Sequence, residues 1–310
     1  MTFNLIAPVT PLTTLNDVFL QQANIKLLVK RDDLIHHEIS GNKWRKLKHN
    51  VVKANNLCSR TILTFGGAYS NHLFATASAC HQAGISSIGI VRGDELNIFS
   101  SSTLRHCHAK GMLLYFVSRN EYKQKLLGKT IQSILSTNRS IFIIPEGGAN
   151  EEGLQGMAEV PSEITSQLGF QPDFICVAAG TGSSAAGLLS GGANVIAFPV
   201  LKGGEFLRQD IQHMLQPWPA TIQNLNLQTG YHFGGYGKYN QQLLDFIIWF
   251  EETHNIAIEQ VYTGKMLYGI YDLIKKKYFQ EGSTLVAMHT GGLQGRLNTL
   301  PNAPLQTDFK

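Results

Sequence analysis

Lys43 stands in Ser40-Gly41-Asn42-Lys43-Trp44-Arg45-Lys46-Leu47, directly after a polar turn. The apolar spacing that follows, Trp44, Leu47, Val51 and Leu57 with Arg45, Lys46, Lys48 and His49 between, predicts a helix packed on one side. Ser40 or Asn42 is its expected N-cap. A lysine in that first turn meets the positive end of the helix dipole and should lose its proton more readily than a surface lysine. Its amine could then attack a carbonyl. The competing reading is a basic helix face, solvated and idle.

Glycine-rich turns at strand ends are where α/β sheets bind ligands, and they occur around Lys43, Ser70, Gly147, Gly182 and Thr290. The turn Gly180-Thr181-Gly182-Ser183-Ser184-Ala185 follows an apolar run and aims several backbone N–H groups, with three hydroxyls, at one point. A phosphate is the expected guest. The same turn fits G-x-G-x-x-A, a variant of the dinucleotide fingerprint, which wants an acidic residue at the end of the next strand. That strand ends in Val200-Leu201-Lys202, with Glu205 already in the following helix, so the sequence argues against a nicotinamide oxidoreductase. A loop that merely packs helix on strand is the third reading. A reactive lysine and a monophosphate cradle together point to pyridoxal phosphate, whose aldehyde needs the one and whose phosphate needs the other.

These turns need strands and helices to hold them. Short apolar runs at 27–31, 61–65, 86–91, 112–117 and 141–144 alternate with helical patterns at 43–57, 73–82, 101–109 and 121–135. The second half repeats this with strands at 173–177, 194–200, 224–228 and 284–288 and helices ending at 190 and spanning 205–215, 241–253 and 265–279. A glycine-tyrosine loop covers 230–239, and the last ten residues read as a weakly ordered tail. Such alternation predicts α/β architecture, with parallel sheets covered on both faces.

Bulk properties narrow the function. A chain of 310 residues with 43% hydrophobic and 15% charged residues can bury two lobes. The net charge of +4, without basic clusters interleaved with aromatics, argues against nucleic acid and suits small anionic ligands. Cys58, Cys80, Cys107 and Cys176 are widely spaced, with no His/Cys cluster at metal spacing, which predicts reduced thiols and no metal site. Residues Met1 to Pro8 lack a signal-peptide pattern, and no segment approaches membrane-spanning length. A cytoplasmic location follows as the expectation.

The motifs Ser40 to Leu47, Gly66 to His72, Glu146 to Gly148, Gly180 to Ala185, Tyr262 to Lys265 and His289 to Gly292 resemble, in order and over nearly the whole chain, one family. It is the 1-aminocyclopropane-1-carboxylate deaminase and D-cysteine desulfhydrase family of pyridoxal-phosphate enzymes, in the tryptophan-synthase-β-like group (fold type II). The resemblance implies that Lys43 bonds the cofactor aldehyde and moves the substrate α-proton. It places Asn71 against the cofactor ring and its 3-hydroxyl, and Ser70 as nucleophile or carboxylate ligand, with His72 beside the substrate. Gly180, Thr181, Gly182, Ser183 and Ser184 would hold the phosphate, while Tyr236 and Tyr262 would face the substrate. Taken alone, Asn71 could be a helix cap and Tyr262 a half-buried strand residue.

Two positions separate the branches of that family. The deaminases carry a glutamate after the motif tyrosine and a leucine before the final Gly-Gly, where this chain has Thr263 and Thr290. A hydroxyl facing the pyridine nitrogen leaves it largely unprotonated, which favours loss of a β-thiol over opening of a cyclopropane. The expectation is therefore D-cysteine desulfhydrase-like elimination to pyruvate, ammonia and sulfide, with cyclopropane deamination to 2-oxobutyrate as the alternative. A family member that binds the cofactor without turnover is a further reading. The resemblance also implies a homodimer of two-lobed subunits. The larger lobe is expected from 1–46 plus 156–310 and the smaller from 47–155, with the cofactor between lobes that close over it.

Overall fold

A computed structural model describes residues 8–138, 140–216 and 219–300, so the expected C-terminal tail lies outside the described residues. In chain order the first elements are β1 (Leu12–Thr14), α1 (Val18–Gln22), β2 (Lys26–Lys30), α2 (Asn42–Asn56), β3 (Thr61–Gly66), α3 (Asn71–Ala83) and β4 (Ser86–Arg92). Next come α4 (Ser102–Ala109), β5 (Leu113–Val117), α5 (Arg119–Gln124), α6 (Lys129–Thr137), β6 (Ile141–Ile143), α7 (Glu151–Leu168), β7 (Phe174–Ala179) and α8 (Ser183–Ser190). The remainder are β8 (Val195–Pro199), α9 (Leu207–Met214), β9 (Leu225–Leu227), α10 (Gln241–His254), α11 (Thr263–Lys275) and β10 (Thr284–Met288).

These elements form two compact units. The first, Pro8 and Ile35–Met157 among the described residues, holds a parallel sheet ordered β5-β4-β3-β6. Alternation along β3 explains how both faces are covered. Ile62 packs with Trp44, Leu47 and Val51 of α2 and Ala75 and Ala79 of α3, while Leu63 and Phe65 join Tyr122, Ile131 and Ile134. The helix that carries Lys43 thus belongs to this unit.

The second unit takes Val9–Leu34 and the chain from Ala158 onward. Its sheet is ordered β1-β2-β10-β7-β8-β9, antiparallel only at β1 and β2. β2 pairs with β10 from Lys26↔Thr284 to Met288↔Lys30, so the first part of the chain is stitched to the last. Within β2 the fully buried Lys30 donates to Thr10 O at 2.6 Å, Glu163 Oε1 at 2.5 Å and Gln167 Oε1 at 2.6 Å, which is how a strand interior tolerates a charge.

Three elements depart from the sequence reading. The run expected as a single helix over 121–135 is broken into α5 and α6 at Lys125, whose φ of 50° and ψ of −120° no helix permits. Helix α11 begins at Thr263, two residues before the expected start. Helix α7, 18 residues long, is invisible to periodicity because it contains Gly153, Gly156 and Pro161. Its glycines have a tertiary purpose: a Cβ on Gly156 would lie 1.9 Å from Arg45 O. Asn150 starts the helix by accepting from Gly153 N at 3.1 Å, and Glu151 and Glu152 sit in the first turn where a helix favours acids.

Candidate active site

In the first unit, β3 and β6 are parallel neighbours, so the turn from Gly66 to Asn71 and the turn from Glu146 to Gly148 leave the same edge of the sheet. A Cβ on Gly66 would lie 2.5 Å from Ser70 Oγ, which is why the turn can fold back so tightly. Ser70, rather than Asn71, is the N-cap of α3 and accepts from Leu73 N at 3.2 Å. Asn71 is the first residue of that helix.

Lys43 occupies the first turn of α2, as the sequence predicts, but the expected cap at Ser40 or Asn42 does not form. Gly41 is the N-cap residue at φ 67° without a side-chain bond, and Asn42 is already helical. The solvated-face reading fails as well, since Arg45 and Lys46 are both buried. Burial pushes the Lys43 ammonium down to about 8. Lys46, one turn on, donates to Gly147 O at 3.2 Å and is driven well below its ordinary value by burial and then by Lys43. A Cβ on Gly148 would lie 3.3 Å from the Lys46 stem and 3.6 Å from His72 Cε1, so the helix, the second turn and α3 converge there.

His72 has a defined tautomer. Thr64 Oγ1 donates to Ile144 O at 2.8 Å and therefore accepts from His72 Nε2 at 2.9 Å, which makes Nε2 the protonated nitrogen. Nδ1 is a buried lone pair without a partner. Burial first, and then Lys43 and Lys46, hold the ring well below the usual histidine range, so it stays neutral. Asn50 and Asn150 exchange amide bonds of 3.2 and 2.7 Å, and Asn50 also donates to Lys46 O at 2.8 Å, which ties α2 to the start of α7.

In the second unit, Gly180 to Ser184 link β7 to α8. Gly182 caps the helix at φ 79°, and a Cβ there would meet Ile211 Cγ1 at 2.7 Å. Ser183 and Ser184 lie buried in the first turn, and Thr181 Oγ1 sits 2.9 Å from Ser183 Oγ. A Cβ on Gly180 would touch the Tyr262 ring at 3.4 Å, so the tyrosine lies against the turn. Tyr262 is not a strand residue: it is the N-cap position of α11 and stacks edge to face with Tyr236 at 6.0 Å.

A buried glutamate that sequence reading missed organises this end of α11. Glu259 accepts from Val261 N at 2.6 Å, Tyr262 N at 2.9 Å and Thr263 N at 2.6 Å, and also from Thr263 Oγ1 at 3.1 Å. The Thr263 hydrogen is thereby spent inside the turn. Thr290 follows β10 in a turn where Gly291 and Gly292 have φ of 72° and 89°. His289 anchors that turn through Nε2 to Ala257 O at 2.7 Å and accepts from Gly291 N at 3.3 Å.

Each unit therefore gathers one set of the expected residues: Lys43, Ser70, Asn71 and His72 in the first, and the 180–184 turn, Tyr236, Tyr262, Thr263 and Thr290 in the second. Lys46, Glu259 and Lys265 are the missed members. Lys46 had a signal in its spacing of one turn from Lys43, and Lys265 closes the Tyr262 to Lys265 motif, whereas Glu259 had none. Among the described residues, no group of three or more His, Cys, Asp or Glu could hold a metal ion, and no helix is long and apolar enough to cross a membrane.

The residues present suit a phosphorylated aldehyde: a half-buried lysine whose ammonium is pushed down to about 8, and a glycine turn with hydroxyls at a helix start. Comparison with known proteins agrees. Residues 4–291 match the family described as "Pyridoxal-phosphate dependent enzyme". The mitochondrial bifunctional D-cysteine desulfhydrase/1-aminocyclopropane-1-carboxylate deaminase of Arabidopsis thaliana is 29% identical over 292 residues, covering 87% of this chain and 73% of that one. A D-cysteine desulfhydrase of Yersinia enterocolitica is 24% identical over 311 residues, covering 93% of each. A solved structure of an ACC deaminase homologue aligns with a TM-score of 0.80 at 27% identity, over 94% of this chain and 92% of the other.

Proposed function

Since the chain belongs to the pyridoxal-phosphate-dependent enzyme family, we propose that it is a lyase of a small amino acid, removing a β-thiol from D-cysteine. Its fold is tryptophan-synthase-β-like, fold type II, and its cofactor is pyridoxal phosphate. The cofactor, when bound, withdraws electrons from the substrate α-carbon. Lys43 would hold it at the aldehyde, Asn71 at the ring, and Gly180, Thr181, Gly182, Ser183 and Ser184 at the phosphate.

The chain's own groups would do the rest. Lys43, with its amine free from about pH 8, takes the α-proton. The C–H electron pair becomes a Cα–Cβ double bond as the Cβ–S bond breaks and sulfide leaves. Addition of one water then gives pyruvate and ammonia. Ser70, His72, Tyr236 and Tyr262 would position the substrate, with the carboxylate at the α3 N-terminus that Ser70 caps.

The observation that carries the choice of thiol elimination is the state of position 263. The residue there is a threonine whose hydroxyl is committed to Glu259, and the Glu259 carboxylate is itself consumed by backbone N–H groups. Thr290 is then the neutral group left for a ring nitrogen, and a hydroxyl does not keep a proton there as a carboxylate would. Expulsion of a thiolate demands less electron withdrawal than opening a cyclopropane. The nicotinamide reading is not favoured by the family match. A homodimer in the cytoplasm belongs to the same proposal.

The test is keto-acid release by cofactor-loaded protein given D-cysteine and 1-aminocyclopropane-1-carboxylate in parallel, with L-cysteine and D-serine as controls. Pyruvate and sulfide from D-cysteine alone are expected. 2-Oxobutyrate from the cyclopropane acid would overturn the thiol assignment in favour of the deaminase, and no keto acid from any substrate would point to a member that binds without turnover.

A further inference from the structure

The loop from His232 to Tyr239 carries Tyr236 on a glycine-rich backbone, with Phe233 packed edge to face on Tyr268 at 5.0 Å. Phe233, Gly234, Gly235 and Gly237 all have positive φ, at 50°, 93°, 122° and 67°. Such a backbone is freely adopted only by glycine, and glycines lose the most entropy on being ordered. Tyr236 is 46% exposed. Short-range hydrogen bonds run within the loop: Gly235 N to His232 O at 3.0 Å, Lys238 N to Gly235 O at 3.1 Å, and Gly234 N to His232 Nδ1 at 2.9 Å.

A long-range polar tether reaches its backbone from α11. Lys265 is fully buried, and its Nζ donates to His232 O and to Gly235 O, each at 2.8 Å. The two carbonyls flank Phe233 and Gly234, and Gly235 directly precedes Tyr236, so a single ammonium holds the backbone that leads into the tyrosine. Lys265 rises from the helix turn that begins at Tyr262, and Glu259 fixes the backbone of that turn. The same helix end thus holds Tyr262 through its main chain and Tyr236 through the lysine, and the two rings meet edge to face.

We propose that Lys265 is a positioning residue that sets Tyr236 against Tyr262 and thereby tunes how tightly the enzyme holds its amino-acid substrate. This rests on the reading above in which those two tyrosines face the substrate. Lys265 touches neither substrate nor cofactor in this assignment; it acts through the loop. A lysine that served only to satisfy buried carbonyls would affect stability and leave substrate affinity unchanged.

Cofactor-loaded protein is compared with Lys265→Met, which keeps the stem and removes the donors, and with Lys265→Gln, a shorter donor that serves if the first does not fold. The first readout needs no turnover: tryptic cleavage after the exposed Lys238 should accelerate about tenfold, as expected when a loop loses its restraint. The second is kinetic. KM for D-cysteine should rise about tenfold with a smaller change in kcat, the signature of lost ground-state positioning. Tyr236→Ala added to Lys265→Met should raise KM little further, because both changes remove the same placement. Unchanged cleavage, or KM effects that simply multiply, would overturn the proposal. Absence of turnover with every substrate would instead strike the functional reading, while the cleavage rates still decide whether Lys265 tethers the loop.

Discussion

At Lys43 the sequence predicts the right outcome for an incomplete reason. A first-turn lysine is expected to be acidified by the helix dipole, whereas in the folded chain the leading cause is loss of water. The ammonium form prevails below about pH 8 and the amine above it, against 10.5 for a free lysine. Cofactor-free protein mixed with pyridoxal phosphate should therefore capture the aldehyde at a rate that climbs through about pH 8. Borohydride should fix the added mass on the peptide containing Lys43, and Lys43→Ala should lose both the trapped mass and turnover. A rate that rises only near pH 10 would contradict the burial argument. The residues that escaped sequence reading share one property: Lys46, Glu259 and Lys265 bind backbone groups. Main-chain partners leave no trace in side-chain spacing, so spacing could flag Lys46 but only the fold shows what these three residues hold.

At the scale of elements, α7 shows why propensity loses to packing. Its glycines count against a helix in isolation, yet Gly156 is where α7 meets the main chain of α2. Gly156→Ala should raise local helix propensity and still destabilise the protein by about 2 kcal/mol, because overpacking forces the backbone to shift. The midpoint of urea unfolding measures it, and the same variant should bind pyridoxal phosphate more weakly since α2 carries Lys43. A stabilised variant would show that the two helices separate freely. Strands with continuous apolar runs and glycine turns, such as β3 with Gly66 and Gly67, were legible because both signals are local. The break at Lys125 was not, because a lysine at positive φ is a departure no propensity scale anticipates.

Across the whole molecule, the two units differ in how far apart their partners lie in the chain. The sheet of the first is drawn from one continuous stretch, β3 to β6, whereas that of the second needs β2 paired to β10. Non-local pairing slows folding because loop closure is paid before contacts reward it. Trp44 lies in the first unit and Trp249 in the second. With the other tryptophans replaced by phenylalanine, refolding followed at Trp44 should precede that at Trp249, and the reverse order would sink the argument. Alternation of strands and helices made the α/β class legible, but nothing in residues 26–30 announces a partner at 284–288.

That pairing also has a history in time. Lys26 and Thr284 are neighbours in the finished sheet, and 258 residues, 284 less 26, separate them in synthesis. At about 5–20 residues per second, β2 leaves the ribosome roughly 13–50 s before the strand it needs. Throughout that interval Leu27, Leu28 and Val29, all buried in the native protein, are an unsatisfied sticky segment. Newborn chains should depend on chaperones most in this window, and a chain truncated before β10 should expose the same segment permanently and be lost to aggregation or proteolysis.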